Sequence, residues 1–248
     1  MTGLTPPTRL NGRVLVVGVS DASGSTGVQA AIKSIGALGA FAAAAVTAIV
    51  TDDAETSHAV PPAAVAQQMR AMLADIGADV LVIGGLSGAG MIEAVADVLD
   101  GEARGIPLVL DLTGMAETIL LSSARIVVAP SDASDLEAQK DAAAALARIA
   151  GAALVTSAAR GDVLADGATL SVFPPRRGTE RPVRGAGMTL AAAIAAGLAQ
   201  GLPLAAAVRR GRDYVEEAIL TAPDFGRGPS PLNHVHTSRQ TPAASFES

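Results

Sequence analysis

Two glycine-rich segments carry the residue types from which an anion-binding site is built. The first, Gly18-Val19-Ser20-Asp21-Ala22-Ser23-Gly24-Ser25-Thr26-Gly27, lies between an apolar run and a helical pattern; the second, Gly185-Ala186-Gly187-Met188-Thr189, opens an alanine-rich helical stretch. Glycines at a helix start let the backbone approach a ligand, and the first helical N–H groups stay open to a negative group. Arg184 directly precedes the second segment, with Arg176, Arg177 and Arg181 upstream. A cationic loop beside a helix start reads as a phosphate site. The alternative is close helix packing flanked by solvated arginines, and for the first segment a simple capped turn. Neither spacing matches Gly-x-Gly-x-x-Gly or the P-loop ending in Lys-Ser/Thr, so the dinucleotide and Walker readings lack support.

Other chemistry-bearing residues are sparse. Asp111 ends a predicted strand, and Asp52-Asp53 follow another. Such carboxylates can meet a ligand or a cation, or can serve as turn residues. His234 and His236 are close in sequence, but nothing converges on them and no metal site is assigned. The chain has no cysteine, which excludes disulfides, thiolate zinc sites and a cysteine nucleophile. On the last helical stretch Arg209, Arg210 and Arg212 alternate with Asp213, Glu216 and Glu217, the pattern of a solvated, salt-bridged face.

The elements that must position these residues alternate between two periods. Val14 to Val17 reads as a strand buried on both faces, and residues 27–38 as an amphipathic helix with Val28, Ala31, Ile35 and Leu38 on one side. Strands follow at 42–50, 80–83, 108–110, 126–128 and 152–156, and helices at 61–77, around Ile92 to Leu99, and at 134–149. This alternation predicts an α/β fold with a largely parallel central sheet and helices on both faces. Val163-Leu164, Asp166-Gly167 and Leu170 to Phe173 predict a hairpin with a type I′ turn. Two helices, at 187–200 and 203–220, complete the pattern. A single domain over residues 13–237 is expected, with flexible termini at 1–12 and 238–248.

Hydrophobic residues make up 50% of the 248 and charged residues 17%, enough to bury a large core. Aromatics are 2% and the net charge is −6, so the stacking platforms and basic surfaces of nucleic-acid binders are missing. No apolar stretch reaches the ~20 residues of a membrane span. A soluble cytoplasmic protein with a small-molecule partner is expected, with no nucleic acid and no membrane.

The ordered motifs resemble the hydroxymethylpyrimidine/phosphomethylpyrimidine kinases of thiamine biosynthesis, within the ribokinase superfamily, over residues 13–237. Gly18 to Ala30 mirrors that family's Gly-Ser-Asp-x-Ser-Gly-Gly-Ala-Gly-x-Gln-Ala. Leu38-Gly39-Ala40, Thr47-Ala48-Ile49-Val50, Ile83-Gly84-Gly85-Leu86, Val109-Leu110-Asp111, Gly185-Ala186-Gly187 and the closing Gly226 to His234 match further family segments in order. The resemblance implies a ribokinase-like fold, ATP and Mg²⁺, a pyrimidine alcohol or its phosphate as acceptor, and a homodimer. It implies an anion hole at Gly185, Ala186, Gly187 and Met188, and a substrate pocket of Gly18, Asp21, Val50, Asp52 and Gly85. It also implies phosphate or nucleotide contacts at Asp111, Arg184 and Thr156.

The departures from the family pattern are concentrated in the catalytic motifs. Met188 stands where relatives have a Cys or Asp, at the mouth of the expected pocket. Ala129-Pro130-Ser131-Asp132-Ala133-Ser134 replaces Thr-Pro-Asn-x-x-Glu, Thr156-Ser157-Ala158 replaces Lys-Gly-Gly, and Ala31, Asp52 and Gly85 replace other pocket residues. The expectation is therefore ATP-dependent phosphorylation with weak Mg-ATP binding. The alternatives are a catalytically impaired binding or sensor protein, and a kinase of a different alcohol.

Overall fold

A computed structural model describes residues 10–51, 57–86, 88–112, 118–178 and 182–237. Asp52, Asp53, Arg181, the terminal segment 238–248 and residues 1–9 lie outside them. Strands β1 (Arg13–Asp21), β2 (Phe41–Val50), β3 (His58–Ala59), β4 (Val80–Gly84), β5 (Leu108–Asp111), β6 (Ile126–Pro130), β7 (Ala152–Ser157), β8 (Gly161–Asp166) and β9 (Thr169–Phe173) form one sheet in the order β3-β2-β1-β4-β5-β6-β7-β8-β9. The run from β2 to β7 is parallel; β3, β8 and β9 are antiparallel to their neighbours. A small parallel pair, β10 (Val183–Arg184) and β11 (Ser230–Pro231), stands apart.

Helices α1 (Gly27–Ala37), α5 (Ala186–Ala199) and α6 (Leu204–Leu220) cover one face of the sheet. Helices α2 (Pro62–Asp75) and α3 (Ala89–Asp100) cover the other, and α4 (Leu136–Ile149) packs against β7 and β8. Strand periodicity produces this division. In β1, Val14 and Val16 enter the core under α1 and α5, while Leu15 and Val17 enter the core under α2 and α3. Helix α5 is apolar all round because it is enclosed between the sheet and α6, and it is buried from Met188 to Gly197. Small residues allow the close fit: a side chain at Gly211 would press on Ile194, and one at Gly197 on Ala207.

Two local expectations change. The hairpin joining β8 to β9 turns through Gly167 and Ala168, and only Gly167 has positive φ, at 59°. That is the type II′ signature, with glycine at the first central position, and not type I′. The arginine-rich face expected on α6 is partly interior. Arg212 is buried; its guanidinium donates to Asp162 at 2.7 Å and to the Pro174 carbonyl, and lies 4.6 Å from the Phe173 ring centroid. Burying a cation requires a paired anion, and Asp162 supplies it from a strand fifty residues away.

Candidate active site

The sheet order reverses between β1 and β4: the chain leaves β1 for β2 on one side, then returns to place β4 on the other. In open parallel sheets ligands bind outside the carboxyl ends of strands at such a switch point. A cavity of about 490 Å³ occupies that place. Its walls include Val19 at the end of β1, Gly84 and Gly85 at the end of β4, and Asp111 at the end of β5. Helix α5 contributes Gly185 to Met188, and α1 contributes Thr26 and Gly27.

Two helix amino termini therefore converge on one space, and glycine makes this possible. Gly185, the residue capping α5, has φ of 88°, and a Cβ there would fall on the Ser25 carbonyl oxygen. Gly27 has φ of 60°, and a Cβ would strike the Val19 carbonyl. Neither helix has a side-chain cap. The first backbone bond at the head of α5 runs from the Thr189 N–H to the Gly185 carbonyl, so the N–H groups of Ala186, Gly187 and Met188 have no intrahelical acceptor. All three residues line the cavity. With the helix dipole behind them, they form a site for an anion or a developing negative charge.

Among the described arginines of the expected cationic loop, the structure brings only Arg184 to the cavity. Arg176 is half-buried and pairs with the buried Asp162 at 3.0 Å, and Arg177 pairs with Glu216. Arg184 Nε sits 4.0 Å from an Asp21 carboxylate oxygen. Asp21 does not line the cavity. Its carboxylate accepts from the Ser23 N–H, the Ser23 hydroxyl and the Thr26 N–H, so it shapes the turn that delivers α1. Burial pushes this carboxyl up, but those hydrogen bonds together with Arg184 outweigh it and hold it below the usual range.

The remaining expected site residues divide. Gly85 and Asp111 line the cavity. Gly18 lies beneath it, where a Cβ would meet the Gly84 carbonyl oxygen at 2.8 Å; its small size lets β1 and β4 approach at the switch point. Val50 pairs in register with Asp21 and its carbonyl accepts the Ala22 N–H, away from the cavity wall. Thr156 joins strands: its hydroxyl donates to the Ala129 carbonyl and its own carbonyl accepts the Ser131 N–H. Asp52 lies outside the described residues. Met188 lines the cavity as a buried wall and not at the mouth, with its Cε 2.6 Å from where a Cβ on Gly84 would stand. Thr26, Val19 and Val183 also line the cavity; no motif marks them individually, although Thr26 and Val19 lie inside the first glycine-rich segment.

No group of three or more His, Asp or Glu able to hold a metal occurs among the described residues, and no helix there is long and apolar enough to cross a membrane. His234 is buried beneath α5, with its Nε2 3.0 Å from the Thr189 hydroxyl. Burial, with the nearby Lys33 and His236 charges, pushes its pKa down to about 4.

This fold is shared with solved small-molecule kinases. The pyridoxal kinase from Staphylococcus aureus, solved in complex with AMP-PCP and pyridoxal, superposes with a TM-score of 0.79 at 25% identity, covering 92% of this chain and 96% of that one. A Bacillus subtilis pyridoxal kinase, solved with ADP, gives 0.83 at 22% identity over 90% and 97% of the two chains, a likeness of fold alone. The architecture is ribokinase-like.

The phosphomethylpyrimidine kinase family model matches residues 21–121 and 115–233, and the chain belongs to that family. It is 32% identical to the hydroxymethylpyrimidine/phosphomethylpyrimidine kinase of Streptomyces coelicolor, over 94% of this chain and 98% of that protein. It is also 32% identical to the thiamine biosynthesis bifunctional protein ThiED of Geobacter sulfurreducens, spanning 90% of this chain but 52% of that protein's length.

Proposed function

We propose that this chain, acting through residues 13–237 as one domain, transfers a phosphoryl group from ATP to hydroxymethylpyrimidine or its monophosphate. Family membership supports the substrate class. The observation that carries the chemistry is the cavity at the switch point, where the open N–H groups of Ala186, Gly187 and Met188 and the Arg184 guanidinium face one space. Phosphoryl transfer depends chiefly on positioning and on stabilising spread negative charge, and backbone donors fixed at a helix start supply that without reorganisation.

Bound ATP supplies the transferable phosphoryl group. The chain's part is to hold the phosphates at the head of α5 with Arg184, to wall the pyrimidine with Gly85, to let β1 and β4 approach beneath it through Gly18, and to fix the approach of α1 through Asp21. Family resemblance alone extends the proposal to Val50 and Asp52 as substrate contacts and to Thr156 as a nucleotide contact. Mg²⁺ fits this chain only as an ion carried by the phosphates, because Asp111 is the single carboxylate lining the cavity among the described residues. Magnesium commonly binds this way, with few protein ligands. Weak Mg-ATP binding belongs to the proposal, since no lysine lines the cavity. So do a cytoplasmic location and a homodimer, for which the outer edge of β2, paired with β3 only at Ala48 and Ile49, offers a face.

Met188 favours a second reading, in which the pocket binds its ligand without transfer, because a thioether cannot accept a proton. Incubation with Mg-ATP and each pyrimidine separates the two: transfer yields ADP and a phosphorylated pyrimidine together, whereas a binding protein yields neither.

A further inference from the structure

The first turn of α5 brings no proton acceptor to the cavity: Ala186 and Gly187 have no titratable side chain, and Met188 presents a thioether. The alcohol proton must still leave as its oxygen bonds to phosphorus. Asp21 is outside the cavity wall, its carboxylate turned to the Ser23 and Thr26 N–H groups and the Ser23 hydroxyl. His234 lies below α5, outside the cavity wall, bonded to Thr189. Asp111 remains. It lines the cavity, is 3% exposed, and stands in register with Gly84 at the strand ends. A Cβ on Gly84 would lie 3.2 Å from the Asp111 Cβ and 2.6 Å from the Met188 Cε, so both side chains border the space over Gly84 beside the anion hole.

Resting on the kinase reading above, we propose that Asp111 is the catalytic residue that accepts the substrate's hydroxyl proton. The substrate oxygen bonds to the transferred phosphorus while the bond from that phosphorus to the leaving oxygen of ADP breaks. The proton passes to a carboxylate oxygen of Asp111. General-base help of this kind is worth about 10²–10⁴-fold in rate.

The test compares four proteins for phosphorylation of hydroxymethylpyrimidine: wild type, Asp111→Asn, Met188→Asp and the double variant. Asp111→Asn is expected to lose about 10²-fold or more in kcat while binding Mg-ATP as wild type does by calorimetry. The double variant is expected to recover part of that loss, because position 188 places a new carboxylate across the same gap. The acid limb of the wild-type kcat profile should vanish in Asp111→Asn. Full activity in Asp111→Asn, loss explained by weakened Mg-ATP binding, or no recovery in the double variant overturns the assignment. A wild type that makes no phosphorylated product overturns the kinase reading itself, and the assignment with it.

Discussion

At the scale of single residues, Gly185 links the two halves of the site. Its left-handed φ and its contact with the Ser25 carbonyl leave no room for a side chain. Gly185→Ala is therefore expected to cost about 1–3 kcal/mol from backbone strain alone, plus whatever is needed to displace the β1–α1 turn. It should weaken ATP binding in the same variant, because the α5 N–H groups would move. Urea denaturation and calorimetry check the two effects. Arg184 and Arg176 show why residue type alone misleads here. Both belong to one arginine-rich loop, yet Arg184 reaches the cavity and Arg176 is drawn into the interior by Asp162.

Among the elements, the hairpin β8–β9 is attached to α6 through Asp162, which is 1% exposed and receives both Arg176 and Arg212. Removing one partner of a buried ion pair leaves an uncompensated charge, at about 3–5 kcal/mol. Asp162→Ala should lower the urea midpoint accordingly, and adding Arg212→Met should restore part of the loss; equal midpoints for wild type and Asp162→Ala would refute this. The regular elements were legible in the sequence because their burial follows a strict period: β1, β4 and β5 as apolar runs, α1 and α3 as stripes. The interior arginines were not, because Asp162 is distant in sequence and nothing local marks Arg212 as buried. Of the site, the two glycine segments, Arg184 and Asp111 were legible as helix-start and strand-end features. That Asp21 serves the turn, that Thr156 bridges strands and that Met188 packs on Gly84 are facts of tertiary contact, which spacing does not carry.

For the whole molecule, acid stability follows from the buried His234, whose pKa falls to about 4 in the folded state. The unfolded chain binds this proton near the ordinary 6.5 and the folded chain resists it, so the unfolded state gains protons first as pH drops. Stability from this group is complete above about 6.5 and is lost as pH falls toward 4, an effect of order 3 kcal/mol. Denaturation midpoints measured across that window should fall, and should fall less in His234→Gln.

Phosphoryl transfer at the head of α5 is tested most directly by product analysis. The purified chain is incubated with Mg-ATP and hydroxymethylpyrimidine, its monophosphate or pyridoxal, and ADP and the phosphorylated alcohol are quantified together. Equimolar ADP and phosphorylated pyrimidine are expected, with a higher kcat/KM for a pyrimidine than for pyridoxal. Bound pyrimidine and bound Mg-ATP with no phosphorylated product would contradict this.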